Sequence, residues 1–233
     1  MKKLCVAVVV LSLVSVCRPA PLTCEKLVKP VDQGPDLTGR WYYIAFAGKV
    51  CLATTLINGL FWPSISEYIA SMNTPNIYSS TMNIKIFDYC INETLFSFYE
   101  KNRMMDVDID TGIPTGDPDV LLHTSCPDCI VVKSSDVIDS IFFLSRRKVI
   151  TDAELKEFEM QAQCFGWSAP QAFNTDFDYG NCQNETDIND DDASDLHFFL
   201  KIYERLKSTG HSIIKCFTEV LLSYFSDLLA TDS

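Results

Sequence analysis

Short strand-like segments follow one another from Arg40 to Arg147, and they restrict the fold more than any other feature of the chain. They are rich in Ile, Val, Phe, Tyr and Thr and span residues 40–47, 65–72, 77–90, 93–103, 105–109, 119–125, 129–134 and 139–147. Turn-forming residues separate them, most densely at 73–76, 111–118 and 126–129. About eight short strands with close connections are typical of an up-and-down barrel or a sandwich. The sequence therefore predicts an all-β core.

A helix is predicted directly after the last strand. Thr151 suits the N-cap position, and Glu154 three residues later completes a capping box. Leu155, Phe158 and Ala162 then fall on one face, and Gly166 ends the pattern. Because the helix follows a complete sheet, we expect it to pack against a closed barrel. Closure would also explain how so long an antiparallel sheet avoids a free edge.

The first residues of the chain predict secretion. Residues 1–20 combine Lys2 and Lys3 with an apolar run, Leu4 to Val16, that is too short to span a bilayer and is typical of a signal peptide. Eight of the ten cysteines follow this segment, an even number that suggests disulfides formed in an oxidising compartment. Sequons at Asn92 and Asn184 predict glycosylation and agree with an extracellular location.

The charge of the chain argues against one class of partner. The formal net charge is -12, whereas nucleic acid requires a basic binding surface. No later segment is a long uncharged apolar run, so no transmembrane helix is expected. No cofactor is predicted either.

The composition changes after Cys182. An acidic stretch reads as a linker, and two helices are predicted at 195–208 and 211–229, the second with a strong apolar stripe. This stripe could pack on the barrel or on the first helix. It could instead bind lipid, lipoprotein or a protein partner through residues 195–229. Most membrane-binding helices carry Lys and Arg on the polar face, whereas the polar face of this helix carries Lys215, Glu219 and Asp227. The chain is thus predicted to divide into a signal peptide (1–20), a β-barrel (21–182) and a helical extension (183–233).

The first strand opens on Gly39-Arg40-Trp41. A tryptophan there can plug one end of a barrel, and the glycine permits close backbone approach. This Gly-x-Trp resembles the first motif of the lipocalin family, and Arg146 in Leu144-Ser145-Arg146 resembles the arginine that packs on that tryptophan. The family's second motif, Thr-Asp-Tyr, is reduced here to Asp128. The resemblance implies an eight-stranded antiparallel up-and-down lipocalin barrel with a C-terminal packing helix, closed at one end by Gly39, Trp41 and Arg146 and able to hold one small ligand.

Other stretches resemble one branch of that family, the alpha-1-acid glycoprotein (orosomucoid) and apolipoprotein M branch, to which the similar fish saxitoxin- and tetrodotoxin-binding proteins belong. They are LTCEKLVKP, LTGRWYYIA, the sequon that follows Cys90 and the helix that ends near Cys164. The likeness covers about residues 22–182. It implies the disulfides Cys24–Cys164 and Cys90–Cys182.

Four cysteines are left without an implied partner. Cys126 and Cys129 could be a redox pair or half a zinc site, but their place between two strands favours a hairpin disulfide or two structural thiols. Cys51 could pair with Cys216, or it could be a pocket thiol of a lipid-isomerising enzyme.

No catalytic or metal-binding residues are predicted. The three histidines, at positions 123, 197 and 211, lie in no recognisable nucleophile motif. The acidic run from Asp187 fails as an EF-hand, since Asp192 and Phe198 stand where glycine and glutamate are required.

The ligand-facing residues are predicted from the alternation of side chains along each strand. Counting from Trp41 places Tyr43 and Ala45 on its face of the first strand. The full predicted set is Tyr43, Ala45, Met82, Ile84, Phe96, Phe98 and Phe142. A slip of one residue would invert any of these strands.

The sequence therefore predicts a secreted carrier, not an enzyme, that buries a small and mainly hydrophobic ligand inside its barrel. Burial of apolar ligand surface would contribute roughly 25 cal/mol per Å². One alternative is a protein that docks on lipid, lipoprotein or a partner through the C-terminal helices. The other is a thiol-dependent enzyme that isomerises a lipid.

Overall fold

Each of the eight strands between Gly39 and Ser145 pairs antiparallel with the next along the chain, and the last pairs with the first. The computed structural model describes residues 23–108, 111–135, 138–180, 182–184, 199–211 and 213–218. The strands are β1 (Gly39–Gly48), β2 (Ser64–Ser71), β3 (Ile77–Ile86), β4 (Tyr89–Glu100), β5 (Arg103–Val107), β6 (Pro114–Leu122), β7 (Cys129–Ser134) and β8 (Ser140–Ser145). The predicted up-and-down barrel is confirmed, whereas the predicted signal peptide and most of the acidic linker lie outside the described residues.

Two strand boundaries differ from the prediction. Strand β3 ends at Ile86 rather than at residue 90, because a tight turn at Phe87 and Asp88 starts β4 at Tyr89. Strand β6 begins at Pro114, inside a segment predicted as a turn. Proline is tolerated there because the first residue of a strand need not donate its backbone N–H to the ladder.

Trp41 closes one end of the barrel. Its side chain is 2% exposed, and its indole Nε1 donates a hydrogen bond to the Leu37 carbonyl oxygen at 2.8 Å. The guanidinium of Arg146 lies 4.1 Å from the ring centroid and donates a hydrogen bond to the Asp36 carbonyl oxygen at 2.8 Å. Gly39 has a φ of +103°, and a Cβ there would lie 2.9 Å from Nη1 of Arg146. The glycine is therefore required both by the backbone conformation and by the arginine.

The inner face near Trp41 is packed with apolar side chains. Leu37, Ile69, Tyr99, Leu121, Ile130, Val132 and Leu144 form one buried cluster with it. The Tyr99 hydroxyl donates to the Pro35 carbonyl oxygen at 3.0 Å, and burial, with Tyr78 and Asp36 nearby, raises the pKa of Tyr99 to about 12. This end of the barrel is solid, so ligand space can exist only towards the other end.

The predicted helix packs on the outside of the barrel. It is α3 (Asp152–Cys164), and its capping box is present: the Thr151 side chain accepts from the Glu154 backbone N–H, and the Glu154 side chain accepts from the Thr151 N–H. Phe158 stacks on Phe143 of β8 with centroids 5.2 Å apart. The N-terminal arm is attached to this layer through a short helix, α1 (Cys24–Leu27), and the disulfide Cys24–Cys164.

The connection between β1 and β2 contains a helix that the sequence did not predict. It is α2 (Cys51–Leu56), which continues as one π-helical turn over Ile57–Phe61. Because β1 begins at Trp41's end, this connection lies at the opposite, open end of the barrel. No helix among the described residues has the length and apolar character that would let it cross a membrane.

The C-terminal extension is helical at 199–211 and 213–218 and is attached to the β1–β2 connection. A disulfide joins Cys216 to Cys51, so this pair, which the sequence left open, fastens the extension to the open end. The Arg205 guanidinium lies 4.4 Å from the Trp62 ring centroid and donates to the Asn58 carbonyl oxygen at 3.0 Å.

Two short strands extend the sheet. Strand β9 (Gln171–Ala172) pairs with β1 at Ala45 and Phe46, and β10 (Gln183–Asn184) pairs parallel with β4. The disulfide Cys90–Cys182 joins β4 to the residue before β10. This bond and Cys24–Cys164 are the two pairs that the family resemblance implies.

Candidate ligand-binding site

A cavity of about 230 Å³ lies inside the barrel, beyond the packed cluster around Trp41. Strands β1 to β7 border it, from Tyr43 in β1 to Ser134 in β7. Its apolar side chains are Met82, Leu95, Phe96, Met104 and Met105. Its acidic side chains are Glu67, Asp106, Asp117 and Asp119.

Glu67 of β2 is the most deeply placed acid in this cavity. It is 9% exposed, and its carboxylate accepts hydrogen bonds from the Tyr43 hydroxyl at 3.1 Å and from the Ser80 hydroxyl. In the sheet register Glu67 lies opposite Trp41 of β1 and opposite Met82 of β3. The two neighbouring strands thus supply the hydroxyls that hold the carboxylate in place. A charged group this buried is costly unless it is hydrogen-bonded or paired, and among the described residues its bonds come only from neutral hydroxyls.

The pKa of Tyr43 reports on the same environment. Burial raises the pKa of Tyr43 well above its usual value, and the negative charges of Glu67 and Asp119 raise it further. The phenol therefore stays protonated at physiological pH and remains a hydrogen-bond donor.

The charged side chains that border the cavity are all acidic. None of the described residues that border it is a lysine, arginine or histidine. Glu67 is buried, Asp119 is half-buried, and Asp106 and Asp117 are exposed at the edge of the cavity. Together these four carboxyl side chains give the cavity a negative potential. The cavity therefore favours a positively charged group over a neutral or a negative one.

An aromatic group fills the barrel interior beside β1 and β8. Phe142 stacks on Phe46 with centroids 6.0 Å apart, and Phe173 stacks on Phe46 at 4.9 Å. Phe173 also meets the Tyr43 ring edge-on at 6.1 Å. It enters the interior because β9 directly precedes it and its backbone N–H bonds to the Ile44 carbonyl oxygen at 2.9 Å. The remaining free volume therefore lies on the side of β3 to β6.

The structure separates the two β1 residues that the sequence placed on one face. Tyr43 borders the cavity, but Ala45 belongs to the buried cluster that packs under α3 with Phe143 and Phe158. The register against β8 shifts between Tyr43 and Ala45, which is a β-bulge, and one extra residue inverts the alternation beyond it. The prediction that Ala45 shares the face of Trp41 and Tyr43 is therefore wrong, and Phe46 faces inward instead.

The predicted residues of β3 and β4 are only partly brought together. Met82 and Phe96 border the cavity, whereas Ile84 and Phe98 do not. On β4 the buried residue of the inner cluster is Tyr99, so alternation puts Ser97 and Leu95 on the inner face and Phe96 and Phe98 on the other. The prediction that Phe96 and Phe98 point inward is wrong by one residue, although Phe96 still touches the cavity. Phe142 lies in the aromatic group.

The sequence missed every acidic residue of the cavity. A signal for Glu67 exists, since it follows Ser64-Ile65-Ser66 within a strand-like segment, and a charged side chain inside a strand must either face solvent or be partnered. Choosing between those options requires the register of β2 against β1, which the sequence does not give.

The cysteine alternatives are resolved by bonding. Cys126 and Cys129 form a disulfide across the turn before β7. Their sulfur atoms and a Glu154 oxygen lie within 4.8 Å of one another, but Glu154 accepts a hydrogen bond from Arg147 at 2.6 Å. The Cys51–Cys216 disulfide leaves Cys51 without the free thiol that the lipid-isomerising alternative requires. Of the three histidines that the sequence analysis considered, His197 lies outside the described residues.

Comparison with known proteins gives likeness in fold only. No protein-family model matches the sequence, and no curated protein sequence matches it. The chain is similar to the solved structure titled "The Siderocalin Ex-FABP functions through dual ligand specificities", with 13% identity, 57% of this chain and 89% of that chain covered, and a TM-score of 0.45. It is also similar to "Odorant Binding Protein OBP1", with 14% identity, 61% and 94% coverage, and a TM-score of 0.45. Function is therefore inferred from the cavity itself.

Proposed function

We propose that this protein is a secreted carrier that binds a small amphipathic cation inside its barrel and makes or breaks no covalent bond. The Glu67 carboxylate carries the proposal, because it is buried and its partners in the described part of the chain are the neutral Tyr43 and Ser80 hydroxyls. An ammonium group beside Glu67 would give an oppositely charged partner to a carboxylate that the fold has already oriented. Such charge-assisted hydrogen bonds contribute about 1.5–3 kcal/mol each.

The apolar part of such a ligand has a place in the same cavity. Met82, Leu95 and Met104 supply flexible apolar surface, and methionine adapts readily to ligands of different shape. A few polar groups within an otherwise apolar site are the usual means of fixing ligand orientation. The sequence predicted a mainly hydrophobic ligand. Such a ligand would not require the four acidic side chains that border the cavity.

Secretion into plasma or another extracellular fluid is part of the proposal. Eight cysteines of the described residues are joined in four disulfides, which form and persist in oxidising compartments. The Asn92 side chain is exposed on β4, where an oligosaccharide could be attached. Membership of the alpha-1-acid glycoprotein branch rests on the sequence resemblance and fits this location.

Calorimetric titration with two matched probes tests the proposed ligand class. Phenethylammonium and 2-phenylethanol have the same ring and chain and differ in the charge of the terminal group. We expect the full chain to bind the cation about 10- to 100-fold more tightly, since 1.4 kcal/mol corresponds to a factor of ten. Equal affinities, or tighter binding of the alcohol, would contradict a cation carrier, and no binding of either would contradict a carrier of such small molecules.

A further inference from the structure

Large apolar side chains are exposed along the two C-terminal helical runs. We call them the C-terminal apolar surface: Phe199, Leu200, Tyr203, Leu206, Ile214 and Phe217, which are between 41% and 65% exposed. Within the first run, residues 199, 203 and 206 are spaced by four and three positions, and in the second, 214 and 217 by three. This spacing places them on one side of a helix. Of the alternatives that the sequence left open for the stripe, packing on the barrel does not hold for Ile214 and Phe217, which are 64% and 53% exposed.

A different side of the same helical runs holds them on the barrel. Arg205 stacks on Trp62, the Thr209 hydroxyl approaches the Gly59 carbonyl oxygen at 3.3 Å, and Cys216 is bonded to Cys51. The contact residues 205, 209 and 216 are spaced by four and seven positions, which places them on one side of a helix. The orientation of the runs is thus set covalently and by packing, and it leaves the side chains of the C-terminal apolar surface between 41% and 65% exposed.

The charges on these runs differ from those of the rest of the chain. Among the described residues 199–211 and 213–218 the basic side chains are Lys201, Arg205, Lys207 and Lys215, and the one acid is Glu204. The whole chain has a net charge of -12. An apolar face beside lysines, with their long aliphatic stems, is typical of helices that lie in the interface of a lipid bilayer.

We propose that the C-terminal apolar surface docks onto a zwitterionic phospholipid membrane, with Lys201 and Lys207 beside it bonding to lipid phosphates. Two copies of this chain each carry the same large negative charge, which opposes their association. A neutral bilayer surface lacks that repulsion and offers phosphate groups to the lysines. The phospholipid surface is therefore the occupant that the charges favour over a second copy.

Docking of the C-terminal helical runs would also orient the barrel. They sit on the β1–β2 connection at the open end, where Ile57 and Trp62 are also exposed, at 43% and 38%. Docking would hold that end of the barrel at the lipid surface. An amphipathic molecule dissolved in the bilayer would then meet the entrance to the cavity without crossing bulk water.

Flotation of the full chain with phosphatidylcholine vesicles tests the proposal. We expect the wild-type protein to float with the vesicles and the double variant Leu206→Glu/Ile214→Glu to lose at least tenfold in the bound fraction, because two charges would enter the apolar part of the interface. Val149→Glu is the matched control, since Val149 is 76% exposed but lies after β8 at the closed end, and it should float as the wild type does.

The outcomes separate the alternatives. Wild-type protein that stays unbound, or a double variant that floats as well as the control, would overturn the proposal. Size-exclusion chromatography on the same samples identifies a second copy as the occupant: a wild-type dimer that the double variant dissociates, without flotation of either, also overturns it. Titration with phenethylammonium should be unchanged in the double variant, so a failure of docking and a failure of the carrier function remain distinguishable.

Discussion

Replacing Trp41 by alanine should lower the free energy of unfolding by about 3–5 kcal/mol, the range for large aromatic side chains removed from protein cores. The indole is 2% exposed and packs among Leu37, Leu121 and Leu144. Its removal would leave a cavity at the closed end and the Leu37 carbonyl oxygen without its donor. It would also remove the ring on which the Arg146 guanidinium lies. A change of this size is comparable to the whole stability of many domains.

Trp62→Ala is the matched control for this variant. Trp62 is 38% exposed and stacks with Arg205 outside the barrel, so its loss should cost about 1 kcal/mol or less. Urea unfolding of both variants, with the disulfides intact, measures the difference. Equal losses of stability would mean that Trp41 does not close the barrel in the way described.

Glu67→Gln should weaken binding of phenethylammonium about 10- to 100-fold and leave the affinity for 2-phenylethanol nearly unchanged. Glutamine has almost the same shape as glutamate and can still accept a hydrogen bond from Tyr43 or Ser80, so the variant removes the charge and little else. The loss corresponds to about 1.5–3 kcal/mol, the contribution of a hydrogen bond to a charged group. Calorimetric titration with the two probes gives both affinities.

Glu100→Gln provides the control for charge alone. Glu100 ends β4 at the closed end of the barrel, and its side chain is exposed. Its replacement changes the net charge by the same amount but should not change either affinity, since exposed charges far from the site are screened. If both variants weakened cation binding equally, the effect would come from the overall field of the protein, and the assignment of Glu67 would be wrong.

The fold was predictable because its signals are local. Turn residues such as Asn73-Thr74-Pro75-Asn76 separate the strand-like segments, and Thr151 with Glu154 marks the start of α3 within the sequence itself. The helix α2 was missed because its residues, Cys51-Leu52-Ala53-Thr54-Thr55-Leu56, carry no capping residue and no amphipathic pattern long enough to recognise. Its position depends on the disulfide to Cys216, 165 residues away.

The candidate site was less predictable because it depends on register. Tyr43 and Met82, two of the predicted ligand-facing residues, lie beside the cavity, but the bulge in β1 turns Ala45 away from it. The Glu67 carboxylate is positioned by hydroxyls from β1 and β3, and the pairing of three strands cannot be read from one of them. Phe173 enters the barrel through β9, a two-residue strand too short to leave a pattern.

A crystal structure of the full chain soaked with 4-bromophenethylammonium, with the bromine located by anomalous scattering, tests the central claim most directly. We expect the ammonium nitrogen at hydrogen-bond distance, about 3 Å, from the Glu67 carboxylate and the bromine inside the barrel near Met82 or Met104. A bromine found only outside the barrel, with the cavity beside Glu67 unchanged, would contradict a carrier that holds its cation there.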